Sequence, residues 1–69
     1  MKISARNKLK DKILEVKKGA TTAHIKIDIG GGNIVTASIT NESADELKLA
    51  AGQTAYAIIK SSDVMVGVD

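Results

Sequence analysis

Two short stretches, far apart in the chain, hold the side chains best suited to gripping a ligand. Ser4-Ala5-Arg6-Asn7 carries a hydroxyl, a guanidinium and a carboxamide. All three can donate hydrogen bonds and none is negatively charged. Lys60-Ser61-Ser62 offers an ammonium and two hydroxyls straight after an apolar run. Two donor-rich, acid-free clusters suggest a pocket for a small oxyanion. Each residue also has a plainer reading. Arg6 alone fits a surface ion pair with Asp45 or Glu46 of a neighbouring copy. Lys60 alone fits a solvated strand end, and Ser61-Ser62-Asp63 a turn that caps a short helical segment.

The chain that must position these groups has 69 residues, with no Cys, Pro, Trp or Phe and one aromatic, Tyr56. That is one domain, residues 1–69, with a small core for its surface. Disulfides cannot staple it, and a single histidine, His24, makes a zinc site a poor fit. Oligomerisation is the remaining route to stability, and 43% hydrophobic residues of modest size suits it. Met1-Lys2 opens no apolar leader, and no stretch has the length of a membrane span, so a cytoplasmic location is expected. The net charge of +2 is uneven: residues 1–26 carry eight Lys or Arg against two acids, residues 27–69 two against six. A basic half can attract anions or nucleic acid, dock on the acidic half of another copy, or simply be a solvated face.

Period-2 patterning dominates. Leu14 and Val16 alternate with Glu15 and Lys17 and read as one buried face, with Ile13 on the other. Gly19-Ala20 turns the chain. Ala23, Ile25, Ile27 and Ile29 alternate with His24, Lys26 and Asp28, a strand with a β-branched buried face. His24 therefore faces solvent or a subunit contact. Gly30-Gly31-Gly32-Asn33 is a hairpin turn. It is not a phosphate loop, because Ile34-Val35-Thr36 continues as strand where a helix should open. Val35, Ala37 and Ile39 form the apolar face of the return arm. Ser43-Ala44-Asp45-Glu46 reads as a capping box opening a short helix, with Ser43 as cap, Leu47 and Leu49 as anchors and Gly52 at the exit. Ala55–Ile59 is a strand apolar on both faces, and Val64-Met65-Val66 a last short strand. The expected fold is all-β: a small five-stranded Greek-key barrel of the oligonucleotide/oligosaccharide-binding (OB) type with one short helix, in an oligomer.

SARNKLK, EVKKGATTAHIKIDIGGG, TASITNESADELKL and YAIIKSSDVMVG, in this order and spacing, resemble the molbindins. These Mop proteins are small cytoplasmic molybdenum-binding proteins, first described as molybdenum-pterin-binding. The same domain is appended to molybdate transporter ATPases and molybdate-responsive regulators. The resemblance runs from Met1 to about Gly67. It implies an OB-type barrel, a homohexamer built as a trimer of dimers, and molybdate or tungstate held between subunits. It nominates Ser4, Ala5, Arg6, Asn7, Lys60 and Ser61 for the oxyanion, and Gly19, Ala20, Thr22, Thr40 and Ser43 as a secondary group. No side chain would coordinate the metal directly. The chain departs from the family pattern at Asp11 and Lys48, where glycine is usual, and at Ser62, where threonine is commoner.

The chemistry suits the resemblance. Molybdate at neutral pH is a tetrahedral dianion with acceptors and no proton, so its site should be all donors. Arg6 can present a two-pronged donor, Lys60 a point charge, and Ser4 and Ser61 neutral donors. Phosphate brings a proton that would face another donor, and sulfate is smaller, so a rigid cage would disfavour both. A molybdopterin ligand is the alternative within this class. A nucleic-acid-binding module is a weaker one, because such barrels stack bases on exposed aromatics and only Tyr56 is available. Nothing in the chain assembles a nucleophile, base and acid, so an enzyme is not expected.

Overall fold

The computed structural model describes residues 1–69. Its sheet is organised by the first strand, β1 (Asn7–Lys18), which serves two partners in turn. Residues Asn7 to Lys12 pair antiparallel with β4 (Thr54–Ile59), from Asn7 opposite Ile59 to Lys12 opposite Thr54. Residues Ile13 to Lys18 pair with β2 (Thr22–Gly30). The changeover is a β-bulge: Ile13 faces Ile27 and Glu15 faces Lys26, leaving Leu14 without an opposite residue. A bulge bends the strand and tightens its twist. The corner is tied to the segment before β4, because Ile13 N–H donates to Gln53 O (2.9 Å) and Ile13 O accepts from Gly52 N–H (2.8 Å). With β3 (Asn33–Thr40) the sheet order is β3-β2-β1-β4.

The bulge corrects the expected inside and outside of β1. Inserting Leu14 shifts the phase, so Ile13 (1% exposed) and Val16 both reach the core while Leu14 is 47% exposed. The strand also begins earlier than its second-half pattern suggested, at Asn7. Lys8, Lys10 and Lys12 share a face with their opposite residues Ile58, Tyr56 and Thr54. Lys10 Nζ lies 5.8 Å from the centre of the Tyr56 ring.

The β2–β3 hairpin follows expectation. Ala23, Ile25 and Ile27 are buried, and Val35, Ala37 and Ile39 pack on them. Gly30 pairs with Asn33 across Gly31 (φ 62°) and Gly32 (φ 80°), a two-residue turn that needs positive φ twice.

The short helix α1 (Asn41–Glu46) starts one turn before the expected capping box. Thr40, not Ser43, is the N-cap, and its Oγ1 accepts from Ser43 N–H at 3.0 Å. The reason lies in Asn41, whose N–H donates to Thr21 O (2.9 Å) and whose Nδ2 donates to Gly19 O (3.0 Å). Those bonds turn the chain as soon as β3 ends. Ala44, rather than Leu47, is the buried helix residue, and Leu47 is 63% exposed. At the other end Leu49 N–H donates to Ala44 O and Lys48 N–H to Asp45 O, the paired bonds of a Schellman stop. Its left-handed position is Lys48 (φ 53°), one of the two positions where the resemblance leads glycine to be expected. Gly52 (φ 87°) serves the following turn instead.

Ala57 is buried, while Tyr56 (46% exposed) and Ile58 (39% exposed) lie uncovered on the face of β4 expected to meet another copy. One expectation at the end of the chain fails. Residues 64–66 join no strand, so there are four strands rather than five and the barrel is not closed. A 3-10 turn at Ser61–Asp63 separates these residues from the end of β4. Only seven of 69 residues are buried, so the core within one chain is small.

Two stability outcomes follow from the helix ends. Lys48→Gly should raise the free energy of unfolding by about 1 kcal/mol, because only glycine enters the left-handed region without cost. Thr40→Ala should lower it by about 1 kcal/mol through loss of the cap. Urea denaturation followed by circular dichroism measures both, and a destabilised Lys48→Gly would refute the strain at Lys48.

Candidate oxyanion-binding site

The antiparallel register of β1 and β4 brings the two donor clusters together. Asn7 opposes Ile59, so Arg6 and Lys60 continue the pair at one end of the sheet, although 54 positions separate them in the chain. Asn7 clamps this junction: its Nδ2 donates to Ile59 O at 3.1 Å. The carboxamide is thereby committed to holding the two strands in place. Ser61 follows at the first position of the 3-10 turn.

The donors gathered there have no competing partners in the chain. The two ion pairs are Lys18 with Asp45 and Lys26 with Glu15 (3.6 Å), so Arg6 and Lys60 are both free of carboxylates. Arg6, Lys60, Ser4 and Ser61 are exposed, and none of their side chains makes a hydrogen bond. Ala5 is 6% exposed, yet its backbone N–H has no partner within the chain. That N–H is free to donate to a ligand or to water. The end of the sheet thus presents hydroxyls, backbone N–H groups and two cations, with no acid among them. No cavity encloses them: the two hollows of the chain are lined by other residues.

The secondary group lies at the opposite end of β1. Thr22 pairs with Thr40, and Gly19 N–H donates to Thr22 O at 2.8 Å. Thr40 Oγ1 donates to Ser43 Oγ at 2.9 Å, so Thr40 has no proton left for a ligand while Ser43 keeps its own. Ala20 N–H has no partner. A 12-residue strand at roughly 3.3 Å per residue separates this group from Arg6 by far more than one oxyanion can bridge. The two groups cannot hold the same ion within one chain.

Sequence reasoning missed two features here. Asn41 ties the Gly19 turn to the helix, and its Oδ1 has no protein partner. Next to Gly19, an open hollow on the outer sheet face is lined by Glu15, Lys17, Lys18, His24, Lys26 and Thr36, with no apolar residue. The pairing of Lys17 with His24 assembles it, and that pairing depends on the bulge, which periodicity alone did not reveal. Lys17 is its one lysine without a carboxylate partner.

Similarity to known proteins covers the whole of this architecture. Residues 3–66 match the TOBE domain family. The chain is 49% identical over 69 residues to a probable molybdenum-pterin-binding protein of Haemophilus influenzae, covering all of both chains. Among solved structures it resembles a molybdate-binding protein from Sporomusa ovata, with 37% identity, a TM-score of 0.91, and coverage of 99% of this chain and 100% of that one. It also resembles ModG, described as a cytoplasmic molybdate-binding protein and solved with molybdate bound, with 36% identity and a TM-score of 0.93. That match covers all of this chain and 49% of ModG. From the residues, the strand register and these likenesses together, the chain belongs to the TOBE-domain family as a Mop, or molybdenum-pterin-binding, domain.

Proposed function

We propose that this protein binds molybdate, or tungstate, as an intact oxyanion at the Arg6–Lys60 end of the sheet. Its role is storage and homeostasis of the anion in the cytoplasm. The observation that carries the reading is the meeting of two acid-free donor segments at one strand end, with both cations unpaired. Arg6 and Lys60 supply charge, Ser4 and Ser61 hydroxyl donors, and the Ala5 N–H a fixed donor. Asn7 acts as a positioning residue through Ile59.

Ser4, Arg6, Lys60 and Ser61 are all exposed, which leaves room for a pocket completed by another copy in a homo-oligomer. Each added copy would complete the donor cage and could bring the Gly19–Ser43 group of one chain toward the Arg6 group of the next. A bound dianion would offset the repulsion between cations gathered at that contact. The name of the Haemophilus relative supports a second reading, a molybdenum–pterin ligand. Metal analysis and a pterin fluorescence scan of protein from its native host separate the two.

Calorimetry tests the first reading. Molybdate and tungstate should bind, with sulfate and phosphate far weaker, and equal binding of phosphate would sink the donor-cage reading. Arg6→Ala should cost about 1.5–3 kcal/mol, roughly 10- to 150-fold in Kd. Arg6→Lys should recover only part of that, because the planar fork is lost. Parental affinity in Arg6→Ala would remove Arg6 from the site.

A further inference from the structure

Lys8, Lys10 and Lys12 of β1 have no part in the site described so far. They alternate along the strand and therefore share one face, and all are exposed. Opposite them on β4 stand Ile58, Tyr56 and Thr54, none of them charged. Lys10 Nζ rests over the Tyr56 ring, and Lys12 Nζ donates to Thr54 Oγ1 at 3.3 Å. Neutral partners steady these ammonium groups without cancelling their charge. The one acid in this half of the strand, Asp11, lies on the other face opposite Ala55, and its Oδ1 accepts from Lys12 N–H at 2.9 Å. Neither ion pair of the chain involves the row.

The row leads to the donor cluster. Lys60 follows Ile58 by two residues in extended backbone (φ −64°, ψ 140°), so it continues the same face of β4. Arg6 precedes Lys8 by two positions on the β1 side. At roughly 3.3 Å per residue, Lys8, Lys10 and Lys12 stand about 7, 13 and 20 Å from Arg6 along the strand. Lys10 and Lys12, held across the sheet by Tyr56 and Thr54, do not reach an ion at Arg6. Their fields do, where salt is low: charges interact over about 8 Å at about 0.15 M ionic strength and over about 30 Å at about 0.01 M.

We infer that Lys8, Lys10 and Lys12 form a capture row, which draws a dissolved oxyanion to β1 and steers it to Arg6 and Lys60 without joining the bound state. The inference rests on the molybdate reading and adds to it the approach of the anion. A row of one sign raises the local concentration of the opposite ion and speeds encounter. Charges at the rim of a site act on association and on its salt dependence, whereas the groups that grip the ligand govern release. The row cannot tell one dianion from another, so selectivity stays with the donor cage. Unpaired ammonium groups also resist burial, and a second copy seated on Tyr56 and Ile58 would leave the heads of the row in water.

The variant Lys8→Gln/Lys10→Gln/Lys12→Gln tests this, with arginine at the same positions as the charge-keeping control. Capture of radiolabelled molybdate is timed by rapid filtration, and release by dilution into unlabelled molybdate. At about 0.01 M salt the glutamine variant should associate roughly tenfold more slowly than the parent, with release unchanged. At about 1 M salt, where each charge is felt over roughly 3 Å, the two should associate alike. The arginine variant should keep the parental rate. At about 0.15 M salt, Lys8→Gln alone should slow capture more than Lys12→Gln alone. An association rate unchanged at low salt would overturn the row. So would slowing that the arginine variant shares, or a change confined to release, which would make these lysines ligands or supports of the fold. A smaller sedimentation coefficient in the glutamine variant would give the row to a contact between copies, and that too would overturn it. If the parent captures no molybdate, the molybdate reading fails and the row with it. Parental affinity with an unaltered rate discards the row alone.

Discussion

One extra residue, Leu14, lets a single strand serve two partners. Without the bulge, β1 would continue straight along β2, and its first half would have no reason to meet β4. With it, the strand turns at Ile13, and the corner is pinned by the Gln53 and Gly52 bonds. Ile13 stands at the junction of both pairings and is almost wholly buried. Register at either end of β1 therefore depends on this corner. A slip of one residue would exchange inner and outer faces and part Arg6 from Lys60.

The two ends of β1 are built on different economies of hydrogen bonding. At the Gly19 end the polar groups satisfy one another: Thr40 with Ser43, Asn41 with Gly19 and Thr21. That end is a rigid knot with few donors left over. At the Arg6 end only the Asn7 clamp is made, and the remaining donors face outward unpaired. Fixed backbone and unclaimed donors together leave the Arg6 end with hydrogen-bonding capacity that no group of the chain uses.

Much of this was legible in the residues. The Ala23–Ile29 alternation and the Gly30–Asn33 turn specify their hairpin locally, through side-chain period and positive φ, and both appear as expected. The donor clusters were visible as residue types, but only the strand register could place Arg6 beside Lys60. The errors have physical causes. A bulge breaks periodicity without a sequence marker, so alternation alone puts Leu14 inside. The Ser43–Glu46 capping box was a sound local signal overridden by the tertiary bonds of Asn41. The apolar pattern of Val64–Val66 reads as a strand, but pattern cannot say whether a free edge will take it, and within this chain none does. At Lys48 the φ of 53° is one that glycine enters most cheaply, a conformation the residue type alone does not announce.

The Asn7–Ile59 contact joins residues 52 positions apart, whereas β2 and β3 meet across a two-residue turn. Contacts of such separation carry a large loop-closure entropy and form late. The hairpin and the Ile13 corner can assemble before the donor end exists. By the same logic, the β1–β4 end can open while the rest of the sheet stays closed, because little buried surface holds it. Amide exchange should accordingly run faster there than in β2. The Arg6–Lys60 end is thus the part of the sheet held by the longest-range pairing and the least buried surface, and it can open without unfolding the core.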